Sequence, residues 1–155
     1  MRPRTFLLTA FVLLGFCQYG SGADLKLLVL DSRTAKPLGQ KNVCLSFSQN
    51  PKMTALDRPD VPEVCKRTDS TGSTTFGLPD DSAQWTYVRV LTNDFVPCFD
   101  IPLRFFTTEL TKAGAIAPNT CGPASTNLTT EPGRLIFYGH QMTFREVLKS
   151  MWHEV

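Results

Sequence analysis

The clearest signal in the chain is alternation. Leu25, Leu27 and Val29 recur at every second position, and so do Val43, Leu45 and Phe47. A period of two puts each set on one face of a pleated strand. Both sets are expected to face the core, which leaves Cys44 and Ser46 pointing outward. Residues 84–91 alternate too: Thr86, Val88 and Val90 share one face, and Trp85, Tyr87, Arg89 and Leu91 the other. Shorter strands are expected at 63–68, 73–78 and 134–138. Residues 95–103 read as extended but interrupted, because Pro97 and Pro102 each remove a ladder donor and mark an edge or a bulge.

Turn signals separate these runs. In Thr68-Asp69-Ser70-Thr71-Gly72, Asp69 and Ser70 can hydrogen-bond their own backbone, and Gly72 accepts a positive φ. A second turn lies at 31–38, and a third at Pro79-Asp80-Asp81. The polar stretch 49–62 carries Pro51, Pro59 and Pro62 and is long for a hairpin connection. Residues 107–113 suit one or two helical turns stopped by Gly114, and 118–132 reads as loop. At the end of the chain, Thr143 and Glu146 fit a capping box. Phe144, Val147, Leu148 and Met151 form one stripe of a short amphipathic helix over about 143–153. That stripe is expected to cover the sheet face around Trp85 and Tyr87. The pattern predicts an all-β, antiparallel β-sandwich of about seven strands with a short C-terminal amphipathic helix.

Composition changes the picture at the N-terminus. Met1-Arg2-Pro3-Arg4 is basic, 6–16 is apolar, and Ser21-Gly22-Ala23 has the small-x-small form of a cleavage site. Residues 1–23 therefore read as a secretory signal peptide cleaved after Ala23, and 24–155 as a single domain, secreted or periplasmic. The apolar run is too short to span a bilayer, and the mature chain offers no transmembrane segment. Cleavage removes Cys17 and leaves Cys44, Cys65, Cys98 and Cys121. An even count in an exported domain implies two disulfides, for which three pairings exist. Cys44–Cys65 with Cys98–Cys121 is preferred, since each pair is close in sequence and encloses a proline-containing segment. Each loop closure is worth about 3 kcal/mol.

The formal net charge is +2 and the basic residues are scattered, so the basic patch of a nucleic-acid partner is missing. No Cys-x-x-Cys spacing indicates zinc. No cofactor and no metal are expected. Asp57, Asp60, Asp80 and Asp81 lack the spacing of a calcium loop and read as turn acids. The only histidines are His140 and His153. No serine lies in a Gly-x-Ser-x-Gly context, so no catalytic residue is assigned; a small hydrolase using His140 as general base is the alternative reading. The best binding candidate is the face of Trp85, Tyr87 and Arg89, where two aromatic rings and a cation could stack on sugars or grip a peptide. Asn127-Leu128-Thr129 matches a glycosylation acceptor.

The run Val29-Leu30-Asp31-Ser32, then Lys36-Pro37-Leu38, Val43-Cys44-Leu45, Thr68-Asp69-Ser70-Thr71-Gly72, Phe76 and Leu78-Pro79 resembles carboxypeptidase regulatory-like domains. The resemblance covers about the first two thirds of the mature chain. It implies a transthyretin-like, prealbumin-type or Ig-like sandwich, from a superfamily described as carbohydrate-binding-like. Such domains occur as accessory modules beside peptidases and in cell-surface proteins. With no catalytic constellation among the residues, the expected function is a non-catalytic binding or structural module whose partner is a glycan or a cell-surface protein. The segment from Asp94 onward departs from that pattern. Transthyretin-like hydroxyisourate hydrolases end in Tyr-Arg-Gly-Ser, whereas this chain ends Met151-Trp152-His153-Glu154-Val155, so that activity is not expected.

Overall fold

The computed structural model describes residues 23–50, 52, 63–79, 84–90, 95–99, 103–122 and 127–145. In chain order the elements are β1 (Asp24–Asp31), β2 (Asn42–Ser48), β3 (Val64–Arg67), β4 (Ser73–Gly77), β5 (Trp85–Val90), β6 (Phe95–Pro97), β7 (Leu103–Phe106), α1 (Thr107–Lys112), β8 (Ala115–Ile116) and β9 (Arg134–Gln141). They build two sheets. One has the order β4-β1-β9-β6, with β8 also on β9; the other runs β3-β2-β5-β7.

The all-β class and the main strands follow the alternation. Two expectations are corrected. The described residues hold nine strands rather than about seven, because the proline-broken segment divides into β6 and β7 and a two-residue β8 is added. The first sheet is also mixed rather than antiparallel: β9 runs parallel to both β1 and β8. Alternation assigns a residue to a face and carries no information about strand direction.

One core lies between the sheets. Leu25, Leu27, Val29, Phe76, Leu135 and Phe137 come from the first, and Val43, Leu45, Phe47, Val88 and Leu103 from the second. Each such side chain contributes about 1.5–3 kcal/mol when buried. Phe99 meets Phe137 edge-on at 5.5 Å between ring centroids. Leu110 of α1 joins the same core, which anchors this six-residue helix. Gly114, with φ 69°, ends it by donating its amide to the carbonyl of Leu110. Where the sheets part at the edge, Lys66 crosses from β3 to β4. Its Nζ donates to the Thr75 carbonyl at 2.6 Å and lies 5.5 Å from the Phe76 ring centroid.

The two aspartate turns are built alike and pack together. Asp31 Oδ1 accepts from the Arg33 and Thr34 amides and the Thr34 hydroxyl. Asp69 Oδ1 accepts from the Thr71 amide and hydroxyl and from the Ser73 amide. Burial pushes the Asp31 carboxyl upward, but the Thr34 hydroxyl and amide, the Arg33 amide and the Arg33 charge outweigh it, so its pKa is lowered. The Asp69 carboxyl is held low by the Thr71 hydroxyl first and the Ser73 amide next. Gly72 sits at φ 73°, and a Cβ there would stand 2.7 Å from the Val29 carbonyl oxygen. That closeness lets the Val29 amide donate to the Gly72 carbonyl at 2.9 Å. The Gln40 amide reaches Thr68 and Asp69, and the Lys41 amide reaches the Thr68 hydroxyl.

The predicted C-terminal helix is described only at its start, where 144 and 145 are helical. Phe144 is 77% exposed, so the first residue of the expected stripe does not lie against a sheet. Val147, Leu148 and Met151 fall outside the described residues.

Candidate functional site

Register defines the outer face of the β2 sheet. Ser48 pairs with Trp85, which pairs with Phe106; Ser46 pairs with Tyr87, which pairs with Arg104. Cys44 pairs with both Arg89 and Cys65. Directly paired residues point to the same side, so these side chains share the face turned away from the core.

The outward face of β2 is nevertheless buried. Cys44, Ser46 and Ser48 are almost fully covered. Just after β2 the chain is tied to this face by Tyr87, whose phenol hydroxyl donates to the Asn50 carbonyl at 2.6 Å. The Cys44–Cys65 disulfide ties β2 to β3 at the other end of this face. There Arg89 Nε meets Glu63 Oε1 at 3.7 Å, with the Arg89 side chain 38% exposed.

The three predicted binding residues are therefore brought together but divided in role. Tyr87 is only 1% exposed and its hydroxyl is engaged, so its ring offers nothing to a ligand at the surface. Trp85 is half-buried, and Arg89 reaches solvent. Two residues that sequence reasoning missed complete the surface. The Phe106 ring stacks on Trp85 at 3.9 Å between centroids, tilted by 31°. The Arg104 guanidinium lies 5.5 Å from the Trp85 ring centroid. Both residues belong to β7, the edge strand next to β5. The alternation of Arg104 with Phe106 was the available signal. Pro102, just before it, obscured the fact that a strand restarts at 103. Among the described residues Trp85 Nε1 and Ser46 Oγ are buried without a hydrogen-bond partner. The result is an aromatic pair with a cation on it, at an open sheet edge, above a layer of buried hydroxyls.

The β1 sheet has a covered outer face of different character. Leu28, Leu30, Ile136 and Tyr138 meet Ile116, Leu128 and Cys98 in a second apolar cluster. The Cys98–Cys121 disulfide holds the covering segment, and the Thr120 amide donates to the Cys98 carbonyl. His140 stands at the end of this row. It lies within β9 rather than after a strand, half-buried, with Nδ1 3.6 Å from Cys98 Sγ.

Two clusters have the composition of metal ligands: Cys98, Cys121 and His140, and Cys44, Glu63 and Cys65. In each, the two sulfurs are bonded to one another, so neither offers a thiolate. The other histidine, His153, lies outside the described residues. No helix among the described residues is long and apolar enough to cross a membrane. Comparison with protein families, with curated proteins and with solved structures finds no match to this chain.

Proposed function

We propose that this chain is an exported, non-catalytic recognition module that binds glycans through Trp85, Phe106, Arg104 and Arg89. The observation that carries the reading is the stacked Trp85–Phe106 pair with Arg104 over it, set on the outer face of the edge strand β7 and its neighbour β5. Flat aromatic faces pack against the apolar C–H faces of sugar rings. Guanidinium groups donate to hydroxyls or to the carboxylates of acidic sugars. Export is supported by the two disulfides, which belong to an oxidising environment, and by the start of β1 at Asp24, the first residue after the expected cleavage point. A prealbumin-type sandwich of the carboxypeptidase regulatory-like kind is supported by the way the segments that carry the resemblance interlock, 29–40 against 68–73.

A glycan array probed with the mature domain, followed by calorimetry on the retained sugars, tests the reading. Phe106→Ala and Arg104→Ala should each weaken binding at least about tenfold, the loss of roughly one stacking or charged contact, with melting temperature little changed. Retention of a surface protein but no sugar would assign the same face to a protein partner. Binding indifferent to both substitutions would remove this face from the function.

A further inference from the structure

The two disulfides share a layout and differ in their neighbours. In each, one cysteine sits buried on the outer face of a sheet, Cys44 or Cys98, and its partner, Cys65 or Cys121, is exposed. Beside Cys44 and Cys65 lies the carboxylate of Glu63, within 4.8 Å of both sulfurs, with the Arg89 guanidinium paired to it. Beside Cys98 lies an imidazole, with His140 Nδ1 3.6 Å from Sγ.

We propose that Cys98–Cys121 is a thiol-exchange site, at which a low-molecular-weight thiol forms a mixed disulfide on Cys121 while His140 stabilises the departing Cys98 thiolate. The incoming thiol reacts as its thiolate, having given its proton to water. It attacks Cys121 Sγ in line with the existing bond, because that sulfur belongs to the exposed residue. A new sulfur–sulfur bond forms to Cys121. The Cys98–Cys121 bond breaks, and its electron pair leaves on Cys98. Cys98 is then a thiolate or, after taking a proton, a thiol, next to Nδ1. An adjacent imidazolium stabilises a thiolate, and a better leaving group departs faster. Return attack by Cys98 on the mixed disulfide restores the original bond and releases the small thiol. At Cys44 the Arg89 charge is already paired with the Glu63 carboxylate, which lies within 4.8 Å of both sulfurs and opposes a thiolate there, so the second disulfide serves as an internal reference in the same molecule.

His140 is a positioning residue here, and the site opens a specific part of the fold. Cys98 is one of the residues of the outer apolar cluster that the disulfide-held segment covers. Exchange therefore loosens that cover and leaves the Cys44–Cys65 face closed.

The test is a time course of the oxidised, full-length exported protein in reduced glutathione. Samples are acid-quenched and alkylated, and peptides are mapped by mass spectrometry. The expected result is glutathione on Cys121 and alkyl label on Cys98, with Cys98–Cys121 opening about tenfold faster than Cys44–Cys65. His140→Gln should slow only the first of these rates, by about tenfold, at an unchanged melting temperature. Equal opening rates in the unaltered protein would overturn the proposal without any variant. So would glutathione found on Cys98, or a His140→Gln variant in which the rate ratio stays the same.

Discussion

Both sheets of this protein bury part of their outer faces as well as their inner ones, and they do so with opposite chemistry. On the β1 sheet, Leu28, Leu30, Ile136 and Tyr138, with Ile116 of β8 beside them, meet Leu128 from the segment above. That cover adheres by removing apolar surface from water. On the β2 sheet the row is Cys44, Ser46, Ser48 and Tyr87, and the described attachment is a phenol bonded to a backbone carbonyl. One disulfide holds the segment over the β1 sheet, and the other cross-links β2 to β3 beside the polar row. The difference teaches that a buried face does not have to be an apolar one, provided its polar atoms find partners. Where they do not, as at Ser46 Oγ and Trp85 Nε1 among the described residues, the face is left with unspent hydrogen-bonding capacity. That capacity lies under the surface proposed to meet a ligand.

The largest expected effect comes from cutting the staples one at a time. Their sequence separations are 21 and 23, so chain entropy alone assigns each about 3 kcal/mol. Any difference between the double variants Cys44→Ala/Cys65→Ala and Cys98→Ala/Cys121→Ala in urea denaturation reports on the covers. The second should lose more, by about 1 kcal/mol or above, because an apolar cover is freed with it. A larger loss from the first would invert the comparison. Next, Ile136→Ala should destabilise by about 3 kcal/mol, the usual scale for deleting a packed aliphatic side chain. A loss below 1 kcal/mol would mean that the outer cluster collapses without penalty.

Tyr87→Phe removes one hydrogen bond from the polar cover and keeps the ring. The expected loss is about 1 kcal/mol, read from the same denaturation curves. The Asp69 turn provides a control outside both covers, whereas the Asp31 turn touches the segment held by Cys121, where Asn119 Nδ2 donates to the Ser32 carbonyl at 3.0 Å. Asp31 and Asp69 have pKa values lowered from 3.8 in the folded chain. Their contribution is therefore present above that pH and is lost as pH falls below it. Asp31→Asn and Asp69→Asn should flatten the stability curve below about pH 4 while leaving the ranking of the covers unchanged. An undiminished acid slope in both variants would place the acid sensitivity elsewhere. The smallest effect is expected at Ser46. Its hydroxyl is buried without a partner among the described residues, so Ser46→Ala should be neutral or slightly stabilising, within about 0.5 kcal/mol. A loss above 1 kcal/mol would reveal a partner for that hydroxyl.

The inner faces were legible in the sequence because one rule governs them. Leu25, Leu27, Val29, Val43, Leu45, Phe47 and Val88 are core residues by period two alone. Turn chemistry was equally direct at Asp69 and Gly72, where short-range hydrogen bonds and a positive φ leave few substitutes. Cysteine spacing pointed to the right pairs. The outer faces were not legible. Nothing local to Cys44, Ser46 or Tyr87 says that their outward side is buried, since that depends on contacts between distant parts of the chain. Trp85 was visible as a candidate, but its neighbours Phe106 and Arg104 depend on the β5–β7 register. The parallel β1–β9 pairing is a long-range property of the same kind.

That pairing constrains the order in which the chain can fold. The β2 sheet draws all its strands from 42–106, a stretch that also holds β4 and β6 of the other sheet, and both disulfides close loops of similar, short length. These parts can assemble as soon as their residues are available. The β1 sheet cannot, because Lys26 pairs with Arg134 and Asp31 with Gly139. Until β9 is in place, β1 holds only its antiparallel partner β4, and its other edge is open to any extended chain nearby. Such distant pairing folds slowly, since loop-closure entropy is lost before the contacts compensate. During synthesis the first strand is thus the last to be completed. The interval before residues 134–141 arrive is when this protein is most exposed to misassociation, and it is where a chaperone would act on it.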